Sequence, residues 1–146
     1  MSDIFLLDVN VLVSALWYQQ SSHARVQAWL ARHAADGWAT CPLTQNAFVR
    51  LLSNPAFSPS SLTVNNAISL LQKNLAHPAH QFWTDEIGVA QAVEKSRPQL
   101  KGHQQLTDAY LLGLAIHKNG KLATLDRGML SLLPENDVDR ARIVVI

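Results

Sequence analysis

The sequence has little cysteine and little charge. Cys41 is its single cysteine, which excludes a disulfide within the chain and fits a reducing compartment. Charged residues make up 16% of the 146 residues, below the roughly 25% that is typical of globular domains. The 12 basic and 11 acidic residues nearly cancel, which excludes a histone-like polycation and an acidic tail. Any binding of nucleic acid would therefore depend on a local patch or on bound cations, not on net charge.

Long apolar runs are also missing. The longest are a few residues long, far short of the roughly 20 that a membrane-spanning helix needs. The first residues, 1–4, lack the basic segment and apolar stretch of a signal peptide. The chain has no repeats, linkers or low-complexity segments. We therefore predict a single domain over residues 1–146, located in the cytoplasm and without membrane contact.

Short apolar runs alternate with segments of helical periodicity. This alternation indicates βαβ crossovers, and it predicts an α/β fold: a three-layer α/β/α sandwich with a mostly parallel central sheet. The predicted strands are 4–7, 38–41, 80–83, 121–125 and 142–146. The predicted helices cover 9–17, a segment from the cap candidates Ser21 and Ser22 to about Ala35, a segment capped by Thr44 and closed by Asn54, a segment capped by Thr63 and carrying Leu75, and residues 87–95, 106–117 and 128–133. Residues 53–61 are predicted to form a loop.

Three aspartates are expected to lie where active sites usually form in this fold, at the carboxyl ends of the strands. Asp8 and Asp126 each follow an apolar run, at the point where a parallel strand leaves the sheet. Asp108 opens a helix whose preceding loop can reach the same edge. Converging carboxylates repel one another, and burial raises their pKa values unless a cation neutralises them. Mg²⁺ and Mn²⁺ prefer oxygen ligands, and either can activate water at a phosphoryl group.

Each aspartate also has an ordinary structural interpretation. Asp8 can be a helix N-cap, Asp108 can be an acidic residue in the first turn of a helix, and Asp126 can be a turn residue before Arg127 and Gly128. Acids at strand ends are common, so the residues by themselves leave both interpretations open.

Four blocks of sequence stand in a specific order along nearly the whole chain. They are Leu6–Leu12, Trp38–Thr44 leading to Phe48–Arg50, Leu106–Leu111 and Leu122–Arg127. Together these blocks resemble PIN-domain ribonucleases and, more narrowly, the VapC-type toxins of bacterial toxin–antitoxin pairs. The resemblance implies that Asp8, Asp108 and Asp126 are the catalytic, metal-binding acids. It also implies Mg²⁺ or Mn²⁺ as cofactor and supporting roles for Asn10 and Thr124.

The same resemblance implies RNA as substrate, a cognate antitoxin protein as partner, and a homodimer. The low charge content and apolar helices also favour a homodimer. The apolar helices between Ser22 and Leu75 are the candidate surface for the antitoxin.

One departure from the family pattern concerns the helix after the second strand. Many PIN domains carry a further acid there, usually Glu, whereas this chain has Thr44–Ala47 without a carboxylate. Gln45 or Asn46 could support a metal through an amide oxygen or a water molecule. An amide adds no negative charge, so metal affinity should fall. Asp85 or Glu86 is a candidate to compensate.

Several other residues are candidates for contact with RNA. Arg50, His103 and Arg127 lie near the motifs and could contact phosphates, although lone surface charges explain them equally well. Trp17 and Tyr18 precede a polar loop and are predicted to serve an interface or base stacking. Trp29, Trp38 and Trp83 are predicted to be core residues. The six histidines show no zinc-like spacing.

The combined prediction is a metal-dependent endoribonuclease, the toxin of a type II toxin–antitoxin pair. One alternative is a weakly active or inactive PIN module that binds RNA or antitoxin. Another is a phosphatase with Asp8 as covalent nucleophile, in the manner of haloacid-dehalogenase enzymes. That family needs a second Asp two residues later, and Asn10 cannot donate the proton.

Overall fold

The computed structural model describes residues 3–146; Met1 and Ser2, the start of the segment predicted to lack a signal peptide, lie outside them. A five-stranded sheet forms the centre, with strand order β3-β2-β1-β4-β5 and every neighbouring pair parallel. This arrangement confirms the predicted α/β fold. The strands are β1 Phe5–Leu7, β2 Trp38–Thr40, β3 His80–Phe82, β4 Lys121–Thr124 and β5 Ile143–Val145.

Helices connect the strands, as crossovers between parallel strands require. They are α1 Val9–Leu16, α2 His23–His33, α3 Pro42–Leu52, α4 Val64–Leu75, α5 Val89–Ala92 and α6 Leu106–His117. Short 3₁₀ segments cover Arg97–Gln99, His103–Gln105, Arg127–Leu132 and Val138–Arg142. The last stretch predicted as a helix, 128–133, is thus a 3₁₀ segment.

Two hydrophobic clusters cover the two faces of the sheet. Successive side chains of a strand point to opposite faces, and β1 shows this directly. Leu6 packs with α6 in one cluster, whereas Phe5 and Leu7 pack with α1 and α3 in the other. All three are almost completely buried. Because both faces of β1 are covered, its apolar run stops only where the strand leaves the sheet, at Asp8.

Helix α3 begins earlier than the sequence predicted. Thr44 was expected to be its N-cap, but the cap is Cys41 and Pro42 is the first helical residue. Proline suits that position because its missing N–H would have no partner there. Thr44 instead accepts a hydrogen bond from the Cys41 N–H at 3.1 Å. Thr63, by contrast, caps α4 as predicted and accepts from the Asn66 N–H at 3.1 Å.

Helix α5 is shorter than the predicted 87–95, and it packs closely against α6. A Cβ on Gly113 would lie 1.9 Å from the Ala92 carbonyl oxygen, so only glycine allows the two backbones to approach this closely. The Ile87 carbonyl accepts a hydrogen bond from the Tyr110 hydroxyl at 2.9 Å. These contacts join α6 to α5 and to the segment before it.

The aromatic residues separate into core and surface. Trp29 and Trp83 are buried as predicted, and Trp38 is half-buried. The prediction for Trp17 is wrong, since its side chain is only 8% exposed and belongs to the core. Tyr18, its neighbour, is 71% exposed. No helix within residues 3–146 is both long and apolar enough to cross a bilayer.

Candidate active site

The register of β1 and β4 places Asp8 beside Thr124. Leu7 pairs with Ala123, and the next backbone N–H, that of Asp8, donates to the Ala123 carbonyl at 2.9 Å. Asp8 is also the N-cap of α1, where its Oδ1 accepts from the Val9 N–H at 2.8 Å. The predicted N-cap role of Asp8 is therefore confirmed. It accounts for one carboxylate oxygen and leaves the other directed at β4.

The Thr124 hydroxyl links the two strand-end acids. Thr124 is fully buried, and its Oγ1 donates to Asp8 Oδ2 at 2.8 Å. The same oxygen accepts from the Asp126 N–H at 3.0 Å. A threonine hydroxyl has one proton and two lone pairs, so both contacts are satisfied at once. This one side chain therefore fixes the orientation of the Asp8 carboxylate and the position of the Asp126 backbone.

Asp126 caps the 3₁₀ segment that follows β4. Its Oδ1 accepts from the Gly128 N–H at 2.8 Å, and the residue is exposed at the edge of the sheet. The expected turn role of Asp126 is thus also present. As at Asp8, local hydrogen bonding orients the carboxylate and keeps it near the other acids.

Asp108 completes a group of three mutually interacting carboxylates. It lies in the first turn of α6 and is partly buried. Burial, together with the charges of Asp8 and Asp126, raises the pKa of Asp108 to about 6. Burial also raises the pKa of Asp8, against the opposing effect of its hydrogen bonds from Thr124 and Val9, and the charge of Asp126 adds to the rise. Asp108 thus lies close enough to Asp8 and Asp126 for the charges of both to act on its carboxyl group.

The chemistry of this group fits a hard divalent cation. The donors are all carboxylate oxygens, which Mg²⁺ and Mn²⁺ prefer. A cation would also offset the repulsion that raises the two pKa values. Within residues 3–146, no three His, Cys, Asp or Glu side chains are already gathered at metal-ligating distances. Mg²⁺ usually keeps several waters and takes only one or two carboxylates directly, so water would complete the coordination.

A polar cleft of about 360 Å³ opens beside Asp126. We call it the Asp126 cleft and define it by Asn10, Gln20, Ser22, Phe57 and Asp126, which line it. Asn10, predicted as a supporting residue, therefore lies next to an acid of the site. Gln20, Ser22 and Phe57 were not predicted as site residues, although Phe57 is an aromatic residue in the polar loop 53–61 and could have indicated a binding site.

The start of α3, where the resemblance implied a further acid, contacts Thr40 and lines a groove without any of the three aspartates. The Gln45 amide donates to Thr40 Oγ1 at 3.0 Å, and the same hydroxyl contacts His80 Nε2 at 2.7 Å. Asn46 is exposed, and it lines a groove between α3 and α4 together with Arg50. Asn46 and Arg50, both predicted site residues, thus line a groove that contains none of the three aspartates. Their supporting and RNA-binding roles remain predictions.

Glu86 does not replace the missing acid. It is held by His117 Nε2 at 3.0 Å and Lys118 Nζ at 3.1 Å, at the end of α6 opposite Asp108. Nine residues of helix separate Asp108 from His117, which corresponds to about 14 Å. Asp85 acts electrostatically on Cys41 and Tyr110, and it is not among the charges that raise the pKa of Asp8 or Asp108.

Two predicted phosphate contacts lie near the acids in sequence and on the surface. His103 is exposed in the 3₁₀ segment that precedes α6, and Arg127 is exposed directly after Asp126. Neither forms an ion pair with the three aspartates among the contacts found within residues 3–146. Both side chains are exposed, and their contact with RNA remains a prediction.

The chain is similar to known proteins over most of its length. The model of the PIN domain family matches residues 5–132. Ribonuclease VapC38 of Mycobacterium tuberculosis (strain ATCC 25618 / H37Rv) is 36% identical over 141 residues, 97% of this chain and 98% of the relative. Ribonuclease VapC44 of Mycobacterium tuberculosis (strain CDC 1551 / Oshkosh) is 39% identical over 124 residues, 85% of this chain and 87% of the relative.

A solved structure shares the fold. The crystal structure of VapBC2 from Rickettsia felis, bound to a DNA fragment from their promoter, contains a chain that superposes with a TM-score of 0.62. The alignment covers 98% of this chain and 97% of that chain at 15% sequence identity. At that identity the likeness concerns the fold alone.

Proposed function

Because this chain belongs to the PIN-domain family and resembles its VapC ribonucleases over most of its length, we propose that it is a metal-dependent endoribonuclease and the toxin of a toxin–antitoxin pair. Its substrate is RNA, its catalytic acids are Asp8, Asp108 and Asp126, and its cofactor is Mg²⁺ or Mn²⁺. The observation that carries the proposal is the placement of Asp8 and Asp126 after the neighbouring strands β1 and β4, where the Thr124 hydroxyl joins them, with Asp108 close enough for their charges to act on it.

The three aspartates and Thr124 have different roles in the proposed hydrolysis of a phosphodiester bond. Hydrolysis joins a water oxygen to phosphorus and breaks one bridging phosphorus–oxygen bond, whose oxygen then takes up a proton. A divalent cation supplies an activated water and neutralises charge on the phosphoryl oxygens when bound. Asp8, Asp108 and Asp126 would hold it. Thr124 keeps the Asp8 carboxylate in one orientation through its 2.8 Å hydrogen bond, so little reorganisation is needed during the reaction.

Partner binding follows from the same proposal. The antitoxin is expected on the helices between Ser22 and Leu75, where α3 and α4 leave the exposed apolar side chains Val64 and Ile68 beside their common groove. Homodimer formation is also part of the proposal.

A second function has weaker support. An inactive binding module would explain the absence of an acid at Gln45, but it gives no reason for three mutually repelling carboxylates at the sheet edge. The phosphatase alternative is weaker still, because residue 10 is an amide and cannot donate the proton that the leaving group needs.

Cation removal tests the proposed function directly. Purified protein incubated with single-stranded RNA is expected to cleave it in millimolar Mg²⁺ or Mn²⁺ and to lose this activity in EDTA. Activity should return when the cation is added back in excess. Cleavage that persists in EDTA would exclude metal-dependent chemistry, and measuring release of inorganic phosphate from small monoesters would test the phosphatase alternative.

Substitution of Thr124 tests the link between Asp8 and Asp126. Thr124→Val keeps the shape but removes the hydroxyl, which leaves Asp8 Oδ2 and the Asp126 N–H without their partner. We expect the free energy of unfolding to fall by about 1–3 kcal/mol, together with the cleavage rate. Thr124→Ser keeps the hydroxyl and serves as the matched control. Urea unfolding and initial cleavage rates measure both effects, and equal rates for the two variants would exclude a positioning role.

A further inference from the structure

We propose that the Asp126 cleft binds one unpaired nucleobase of the substrate, next to the bond that is cut. Phe57 supplies the stacking surface, and Gln20 reads the edge of the base. This inference rests on the proposed function, because it assigns the cleft to the same RNA. It adds a binding site beside Asp126, and residues that determine sequence preference.

The lining of the cleft suits a flat, neutral and polar group. Asn10 and Gln20 offer amides, Ser22 offers a hydroxyl, and Phe57 offers an aromatic ring that is 36% exposed. Within the described chain, residues 3–146, the side chains of these three polar residues make no hydrogen bond, so their donors and acceptors are available to a ligand. Amides that offer a donor and an acceptor side by side match the edges of bases.

The charge of the cleft decides between a base and a phosphate. Among the described residues that line it, Asp126 is the only charged one, and none is Lys, Arg or His. None of the described lining residues offers a cationic side chain to a phosphate inside the cleft, and the cation that Asp126 would help to hold serves the bond that is cut. A base is neutral, and every base has a face that stacks on an aromatic ring. The cleft volume of about 360 Å³ also falls within the range of small-ligand sites, roughly 300–1,000 Å³.

The backbone on both sides of the cleft is fixed by hydrogen bonds. The Phe57 N–H donates to the Asn54 carbonyl at 3.0 Å, and the Ala56 N–H donates to Asn54 Oδ1 at 3.0 Å. Across the cleft, the Gln20 N–H donates to the Trp17 carbonyl at 3.1 Å. The ring and the amide are therefore held on turns of defined geometry, as a site that distinguishes bases requires.

The test combines substitutions in the protein with base deletions in the RNA. Phe57→Ala and Gln20→Ala are compared with Phe82→Ala and Gln91→Ala, which remove the same side chains from exposed positions on β3 and α5. Phe57→Tyr retains the ring. Binding of short single-stranded RNA is measured in the Asp8→Asn background, which is not expected to cut it, and cleavage is measured in the otherwise unchanged protein. Each RNA is used intact and with an abasic nucleotide at successive positions.

We expect Phe57→Ala to weaken RNA binding and raise KM roughly 5-fold to 100-fold, the loss typical of one stacked base. An abasic nucleotide at one position beside the cut should cost the parent protein the same factor and cost Phe57→Ala almost nothing. Gln20→Ala should relax the base preference at that position, measured with randomised RNA. Phe57→Tyr and the two surface controls should behave like the parent.

Other outcomes separate the two proposals. If the protein cleaves RNA and Phe57→Ala shows the same KM, base preference and abasic profile, the cleft is not a base site, although the nuclease stands. If nothing is cleaved but the abasic effect on binding depends on Phe57, the base site stands and the nuclease function fails. If the variants weaken only the binding of the cognate antitoxin, the cleft belongs to a protein partner and the proposal is overturned.

Discussion

Asp8→Asn is expected to reduce RNA cleavage at least about 100-fold, because a cation at this site contributes several kcal/mol to stabilising the transition state. Asn keeps the size of the side chain and an oxygen that can still accept from the Val9 N–H at the start of α1. The helix cap therefore survives while the negative charge is lost. Asp126→Asn should act in the same way. Initial rates on a single-stranded RNA in Mg²⁺ or Mn²⁺ measure the loss.

Asp36→Asn is the matched control. Asp36 is exposed in the turn before β2, at the opposite end of the strands from the three acids. Its substitution should leave the rate unchanged. Circular dichroism and thermal unfolding should show that Asp8→Asn is folded. If the folded variant cleaves RNA at a rate close to that of the unsubstituted protein, Asp8 is not a catalytic acid.

Much of the fold could be predicted because the sheet is buried on both faces. Apolar runs such as Phe5–Leu7 then stop sharply where a strand ends, so they indicate both the strand and its exit point. The bounds of α3 and α5 were less readable. Proline is found both after strands and at the first position of helices. Pro42 does both, because it follows strand β2 and is the first residue of α3. Helix α5 ends at Ala92, whose carbonyl oxygen lies against Gly113, a residue far away in sequence.

Some features of the candidate site could also be predicted from the sequence, and others could not. Asp8 and Asp126 follow strands that proved to be neighbours, so the topology that places the strands also places the acids. The Asp126 cleft joins residues of α1, the segment before α2 and the loop before α4, and no local pattern connects these segments. The orientation of Gln45 toward Thr40 depends on His80, which lies on a third element. Such contacts between distant segments are set by packing and cannot be inferred from spacing.

Asp108→Asn should lose cleavage and, in the absence of divalent cations, gain stability. The pKa of Asp108 is raised from 3.8 to about 6 in the folded protein. An acid whose pKa is raised by folding binds its proton more tightly in the folded state. Its ionisation therefore costs stability as the pH rises from about 4 to about 6, and the full cost remains above that range. Asn carries no charge and avoids this cost.

The expected gain at pH 7.5 in EDTA is about 1–2 kcal/mol in the free energy of unfolding. A shift of roughly two pKa units would correspond to a larger free-energy gain than this. We reduce the gain because the Asp108 side chain is only partly buried and solvent screens its charge. The first-turn position of Asp108 in α6 favours a negative charge by about 0.3–1 kcal/mol. Since the pKa is nevertheless raised, burial and the repulsion from Asp8 and Asp126 outweigh that contribution.

The pH and cation dependence of this gain distinguish it from ordinary repacking. Urea unfolding in EDTA should show the advantage of Asp108→Asn at pH 7.5 and its disappearance below about pH 4, where both proteins carry a neutral side chain. Mg²⁺ at a hundredfold excess over Kd should stabilise the unsubstituted protein by about 2.7 kcal/mol. The unsubstituted protein should then be more stable than Asp108→Asn. Asp36→Asn should change stability by less than about 0.5 kcal/mol in both conditions. An Asp108→Asn variant that is less stable than its parent at pH 7.5 in EDTA would show that this carboxylate is not held against mutual repulsion, and that the acids do not form one site.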